Sequence, residues 1–68
     1  MSHDPEYRIR ALEALNRLPV IERTVYCLSA IDDMSVAAIA ARMGLTMTAV
    51  EQALARALVA LGKAIEDG

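Results

Sequence analysis

The chain has 68 residues, 56% of them hydrophobic with no Phe or Trp, and a formal net charge of −2 at pH 7. That length allows one domain near the lower limit for independent folding, and the acidic balance excludes a generally sticky, strongly basic nucleic-acid binder. Cys27 has no disulfide partner, one Cys and one His make no zinc site, and the apolar runs are too short to span a bilayer, so a soluble cytoplasmic chain without metal or other cofactor is expected.

The first helix is expected over residues 5–17. Asp4 stands as a cap before Pro5, a residue suited to the first helical position because its missing N–H costs nothing there. Ile9, Leu12, Leu15 and Leu18 then recur every third residue, with Ala11 and Ala14 widening the apolar face. Glu6–Arg10 and Glu13–Arg17 are i,i+4 pairs of favourable orientation. Pro19 ends this helix and starts the next, because the residue before a proline is biased away from helical geometry.

The second helix, residues 20–30, carries Ile21, Val25 and Leu28 as its stripe with Val20 and Tyr26 beside them; Cys27 reads as a small core residue. Asp32, Asp33 and Ser35 then compete for backbone hydrogen bonds and favour a turn. A short third helix, residues 35–43, is capped by Ser35, turns Val36, Ile39, Ala40 and Met43 inward and stops at Gly44, where a left-handed residue is wanted.

The fourth helix is expected over residues 46–65. Its cap is Thr46 if the turn is tight, or Thr48 paired with Glu51 in a capping box. The inward stripe reads Val50, Leu54, Ala57, Leu58, Leu61 and Ile65, while Glu66 and Asp67 oppose the helix dipole and predict fraying at the end. No strand pattern occurs. The fold class expected is all-α: one domain, residues 1–68, of four helices.

The third helix, Gly44 and the fourth helix together form a helix-turn-helix candidate. A short helix stopped by glycine, a tight turn and a second helix leaving at a steep angle would free that helix's N-terminus to enter a major groove.

Several further marks surround this motif: Leu18-Pro19, then Arg23-Thr24-Val25, then Ser35 with Ile39, Ala40 and Gly44, and lastly Val50 with Arg56-Ala57. Together they make residues 10–61 similar to region 4 of bacterial sigma factors, in particular the extracytoplasmic-function group. "AVEQALARAL" looks most like its iron-uptake branch. The resemblance implies a stand-alone four-helix region-4 domain whose last helix reads the −35 element of promoter DNA. It also implies docking on the flap of the RNA polymerase β subunit and capture by an anti-sigma protein. Where family members usually carry basic residues, this chain has Gln52, Ala53 and Leu58. The reading helix has lost charge and gained apolar surface.

The DNA-contacting candidates are Arg42, Thr46, Thr48, Gln52 and Arg56, each with a plainer alternative. One threonine caps the helix. Gln52 can pair with adenine in bidentate fashion or be solvated. Arg42 can meet phosphate or offset the C-terminal dipole of its own helix. Arg56 can meet phosphate or pair with Glu51 or with an acid on another helix. Arg23 reads as solvated, and His3 carries no argument. No nucleophile–base pair or glycine-rich phosphate loop can be assembled, so no enzyme is expected.

Met47, Ala53, Leu58 and Val59 cannot all face inward on one helix, which makes them candidates for an interface with a partner or a second copy, giving a homodimer. If Arg42, Arg56 and Lys63 are the only cations facing a duplex, the salt slope is about −2.7, roughly −0.9 per contact. Isolated binding should then be weak, about 10⁻⁴–10⁻⁵ M. The alternative to a DNA reader is a protein-interaction module that has lost DNA reading.

Overall fold

The computed structural model describes residues 5–67, excluding the side chains of Pro5, Tyr7, Ile65 and Asp67. The expected Asp4 cap, His3 and the inward position of Ile65 therefore lie outside the described residues. Four helices follow in order: α1 Pro5–Arg17, α2 Val20–Ala30, α3 Val36–Met43 and α4 Met47–Asp67, with no strand among the described residues.

Short-range chemistry closes each helix. Pro19 sits in extended geometry at the entrance of α2, and the Leu18 N–H donates to the Leu15 carbonyl at 3.2 Å. Arg23 Nη1 donates to the Asn16 carbonyl at 3.3 Å, satisfying an acceptor left open at the end of α1. At the end of α2, the Met34 N–H closes back on the Leu28 carbonyl at 3.0 Å while Asp33 takes a left-handed φ of 55°. That bond spans six residues, so the chain leaves α2 through a wide turn, with Met34 packed on the core. In α3 the Ser35 Oγ accepts from the Ala38 N–H at 3.1 Å, and the far end stops at Gly44 with φ 69° and a Leu45 N–H to Ala40 carbonyl bond of 2.9 Å.

Two apolar clusters hold the helices together. Val25, Leu28, Ile39, Ala40, Val50 and Ala53 join α2, α3 and α4. Ala14, Leu18, Ala57 and Leu61 join α1 to α4, with Tyr26 and Leu15 packed alongside. α4 alone contributes buried residues to both clusters. Its 21 residues span about 31 Å at about 1.5 Å per residue, close to the 36 Å long axis of the molecule.

Several expected core positions face solvent instead. Ile9 and Leu12 are exposed, because a strict three-residue repeat drifts about 60° around a helix at each step. Ile9 therefore points away from Leu18, and Ala11, Ala14 and Leu15 complete the packed face. Ile21 is exposed on α2, as is Val20. On α4, Leu58 is 53% exposed and Ala53 is 1% exposed, the reverse of the expected assignment. The small Ala53 side chain fits where α2 and α3 meet α4; Leu58 stands about 100° round the helix from buried Ala57.

Of the two i,i+4 pairs, Arg10–Glu6 forms at 2.8 Å and Glu13–Arg17 does not. The C-terminal end of α4 continues as helix through Asp67, where Ala60, Leu61 and Ala64 pack against the α1 side of the core. Cys27 is half-buried and free. No helix among the described residues is long and apolar enough to cross a membrane.

Candidate nucleic-acid interface

The turn between α3 and α4 is three residues, Gly44, Leu45 and Thr46. Leu45 folds back onto the core, which pins the turn, while Thr46 remains exposed. The Thr46 Oγ1 accepts from the Ala49 N–H at 3.0 Å, and its carbonyl accepts from the Val50 N–H at 3.1 Å. Thr46 is thus the cap of α4. Thr48 lies inside the first turn, exposed, and the alternative capping box with Glu51 is not formed.

Beyond the cap, α4 buries Val50, Ala53, Ala57 and Leu61. The remaining surface divides into two stripes by helical spacing. Thr48, Gln52, Arg56 and Lys63 follow one another at steps of four, four and seven, all exposed. Val59 joins this side, within a shallow surface depression that also includes Arg56 and Lys63. Met47, Glu51 and Leu58 make the second exposed stripe, apolar with one acid.

Of the DNA-contacting candidates, Thr48, Gln52 and Arg56 therefore share one face of one helix. Thr46 precedes them with its side-chain oxygen engaged in capping, and Arg42 stands apart, exposed in the last turn of α3. Of the interface candidates, Met47, Leu58 and Val59 are exposed, whereas Ala53 lies in the core and offers no surface to a partner. A basic residue at position 53 would be buried here, whereas one at position 52 would add charge to the exposed polar stripe.

Arg56 has a partner that the spacing on its own helix does not suggest. Its Nε donates to Glu22 Oε2 of α2 at 3.0 Å. The Glu22 side chain is 15% exposed and that of Arg56 60%. The cross-helix alternative weighed for Arg56 is therefore realised, with Glu22 and not Glu51 as the acid. Glu22 was not among the sequence candidates, since nothing local marks an acid 34 residues away as its partner.

A second surface feature lies away from this stripe. Leu12 and Leu15 of α1, Tyr26 and Ala30 of α2, Ile31 and Leu61 line an apolar groove, of which Leu12, Ala30 and Ile31 are exposed. Among the described residues no cluster of His, Cys, Asp and Glu could hold a metal ion.

Against known families, the model described as sigma-70, region 4 matches residues 8–61. No curated protein and no solved structure matches the chain.

Proposed function

The chain belongs to the sigma-70 region 4 family, a family of DNA-binding transcription domains and not of enzymes, and from that premise we propose that it reads promoter DNA with the Thr48–Gln52–Arg56 stripe of α4. The extracytoplasmic-function type and the −35 element are the finer form of this reading. The single observation that carries it is the exposed polar stripe on the helix that leaves the Gly44 turn.

The division of labour follows from side-chain chemistry. Gln52 offers an amide that can pair with both edge groups of adenine in the major groove. Thr48, one turn nearer the N-terminus, accepts or donates to a base or a phosphate. Arg56, Lys63 and, from α3, Arg42 supply charge for the backbone, which positions without reading sequence. Thr46 holds the helix start. Three cations give weak binding alone, so the domain works in the cytoplasm with RNA polymerase or as a homodimer.

A specific observation favours a second reading. Leu12 and Ile31 on the groove, with Leu58 and Met47 on α4, are large apolar side chains left exposed, and such surface can mark an interaction site. That surface suits the polymerase flap, an anti-sigma protein or a second copy, as a module that docks without reading DNA.

Fluorescence anisotropy separates the two. A labelled promoter duplex is titrated with protein, alone and with polymerase, beside a scrambled duplex. The DNA-reading proposal expects preference for the promoter sequence, lost on Gln52→Ala. Equal binding of both duplexes in every setting, unchanged by that substitution, would leave α4 as a docking surface.

A further inference from the structure

The geometry points to Glu22 as the positioning residue for Arg56, holding its guanidinium by the Nε edge so that the Nη1/Nη2 fork grips a DNA phosphate. The inference rests on the DNA reading proposed above and adds the residue that shapes its main backbone contact.

Three observations carry it. The ion pair uses Nε of Arg56 and one oxygen of Glu22, at 3.0 Å, and no other hydrogen bond of Arg56 is made among the described residues. Guanidinium is planar, with donors in a rigid fork, so fixing Nε to one acceptor fixes where both Nη groups point. The burial is also unequal. Glu22 is largely covered beside α4, whereas Arg56 keeps 60% of its side chain in solvent. The anchoring end is inside and the free end outside.

An arginine with a largely covered carboxylate partner would ordinarily be a structural tie between helices. Two features distinguish this one. Arg56 lies on the same exposed stripe as Gln52 and Lys63, so its free fork belongs to the face that would meet a duplex. And a tie alone would be served as well by lysine, whereas a fork held at one edge suits bidentate phosphate contact. Holding a long side chain ready also lowers the ordering penalty on binding, which matters most in a binder with few contacts.

The test counts phosphate contacts through the salt dependence of binding. A short labelled duplex is titrated with the 68-residue chain at several salt concentrations, for wild type, Arg56→Ala, Glu22→Met, Glu22→Gln and the Arg56→Ala/Glu22→Met pair. Methionine keeps the length and helix preference of Glu22 but supplies no strong acceptor; glutamine retains an amide oxygen for Nε. Circular dichroism confirms that each variant is folded.

The expected result is a log–log slope shallower by about 0.9 in Arg56→Ala. The same loss is expected in Glu22→Met, no further loss in the pair, and the wild-type slope in Glu22→Gln. A merely structural Glu22 would lower the melting temperature without changing the slope. Tighter or steeper binding by Glu22→Met would make Glu22 a mask over Arg56 and overturn the inference. So would an unchanged slope in Arg56→Ala, with DNA reading then left to Arg42 and Lys63. Absence of wild-type binding even at low salt would remove the DNA reading as well, which separates the two failures.

Discussion

Ile39→Ala and Ile9→Ala delete the same atoms from one domain and should have very unequal consequences. Ile39 is fully buried where α2, α3 and α4 meet, while Ile9 is 56% exposed on α1. Truncating a buried isoleucine costs about 2–5 kcal/mol, transfer and cavity terms together. A chain of 68 residues has about 3–10 kcal/mol in all, at roughly 0.05–0.15 per residue. A core of this size supplies about 3–5 kcal/mol, so the low end of that range applies. Ile39→Ala should therefore remove most of the stability. In urea, with a slope of about 1 kcal/mol per molar for so small a protein, the midpoint should fall by roughly 2 M or more. Ile9→Ala gives up little buried area and gains slightly in helix propensity, so it should stay within about 0.5 kcal/mol of wild type. Far-ultraviolet circular dichroism across a urea series, at two protein concentrations, measures both. Equal losses in the two variants would refute the reasoning. If the Ile9→Ala loss also depended on concentration, Ile9 would be covered in a dimer, and the monomer core would not be the whole core.

Gly44→Ala should destabilise by about 1–2 kcal/mol, read from the thermal midpoint: its φ is 69° and an added Cβ meets nothing within 4 Å, so the penalty is dihedral and not steric. Asp33→Gly should do the reverse, raising stability by up to about 1 kcal/mol, because Asp33 takes a left-handed φ in the loop between α2 and α3 while carrying a Cβ; a loss would show that its side chain has another task. Thr46→Ala should lower stability by about 0.5–2 kcal/mol, with Thr46→Ser recovering it. If DNA binding by folded Thr46→Ala equals wild type, Thr46 is a cap and not a contact. Arg42→Ala should leave the melting temperature nearly unchanged and make the salt slope shallower by about 0.9.

The breaks between consecutive helices were legible because they depend on single residues with strong backbone preferences. Pro19 separates two helices, Ser35 caps one and Gly44 ends one. Which apolar residues face inward was legible only in part. On α1 the three-residue repeat suggested a continuous stripe, yet helical drift sends Ile9 and Leu12 outward while Ala14 and Leu18 pack. On α4 hydrophobicity favours Leu58 over Ala53, but close approach of α2 and α3 favours the smaller side chain. The Arg56–Glu22 pair was not legible, since it joins residues brought together only by the packing of α2 on α4. Local preference shows where helices stop; how they pack decides what they present.

Weak intrinsic affinity is then a property that the proposed function can use. With three cations in reach, the free chain would bind at about 10⁻⁴–10⁻⁵ M and remain mostly unbound at micromolar concentration. Tethered to polymerase at an effective concentration of about 1 mM, the same contacts would be occupied about 10- to 100-fold over the empty state. A lysine in place of Gln52 would raise affinity for any duplex, through a charge that all sequences share, and would remove the amide that distinguishes adenine. Gln52 therefore gives up general affinity where a tether can supply it and keeps discrimination, which a tether cannot. The exposed apolar groove between α1, α2 and Leu61 lies away from the Gln52 stripe, so a tether seated there would leave the reading face open. Substituting Leu12→Asp should accordingly weaken polymerase-dependent promoter binding while the binding of the isolated chain to DNA stays unchanged. Equal weakening of both would mean that the groove and the stripe are not separate surfaces.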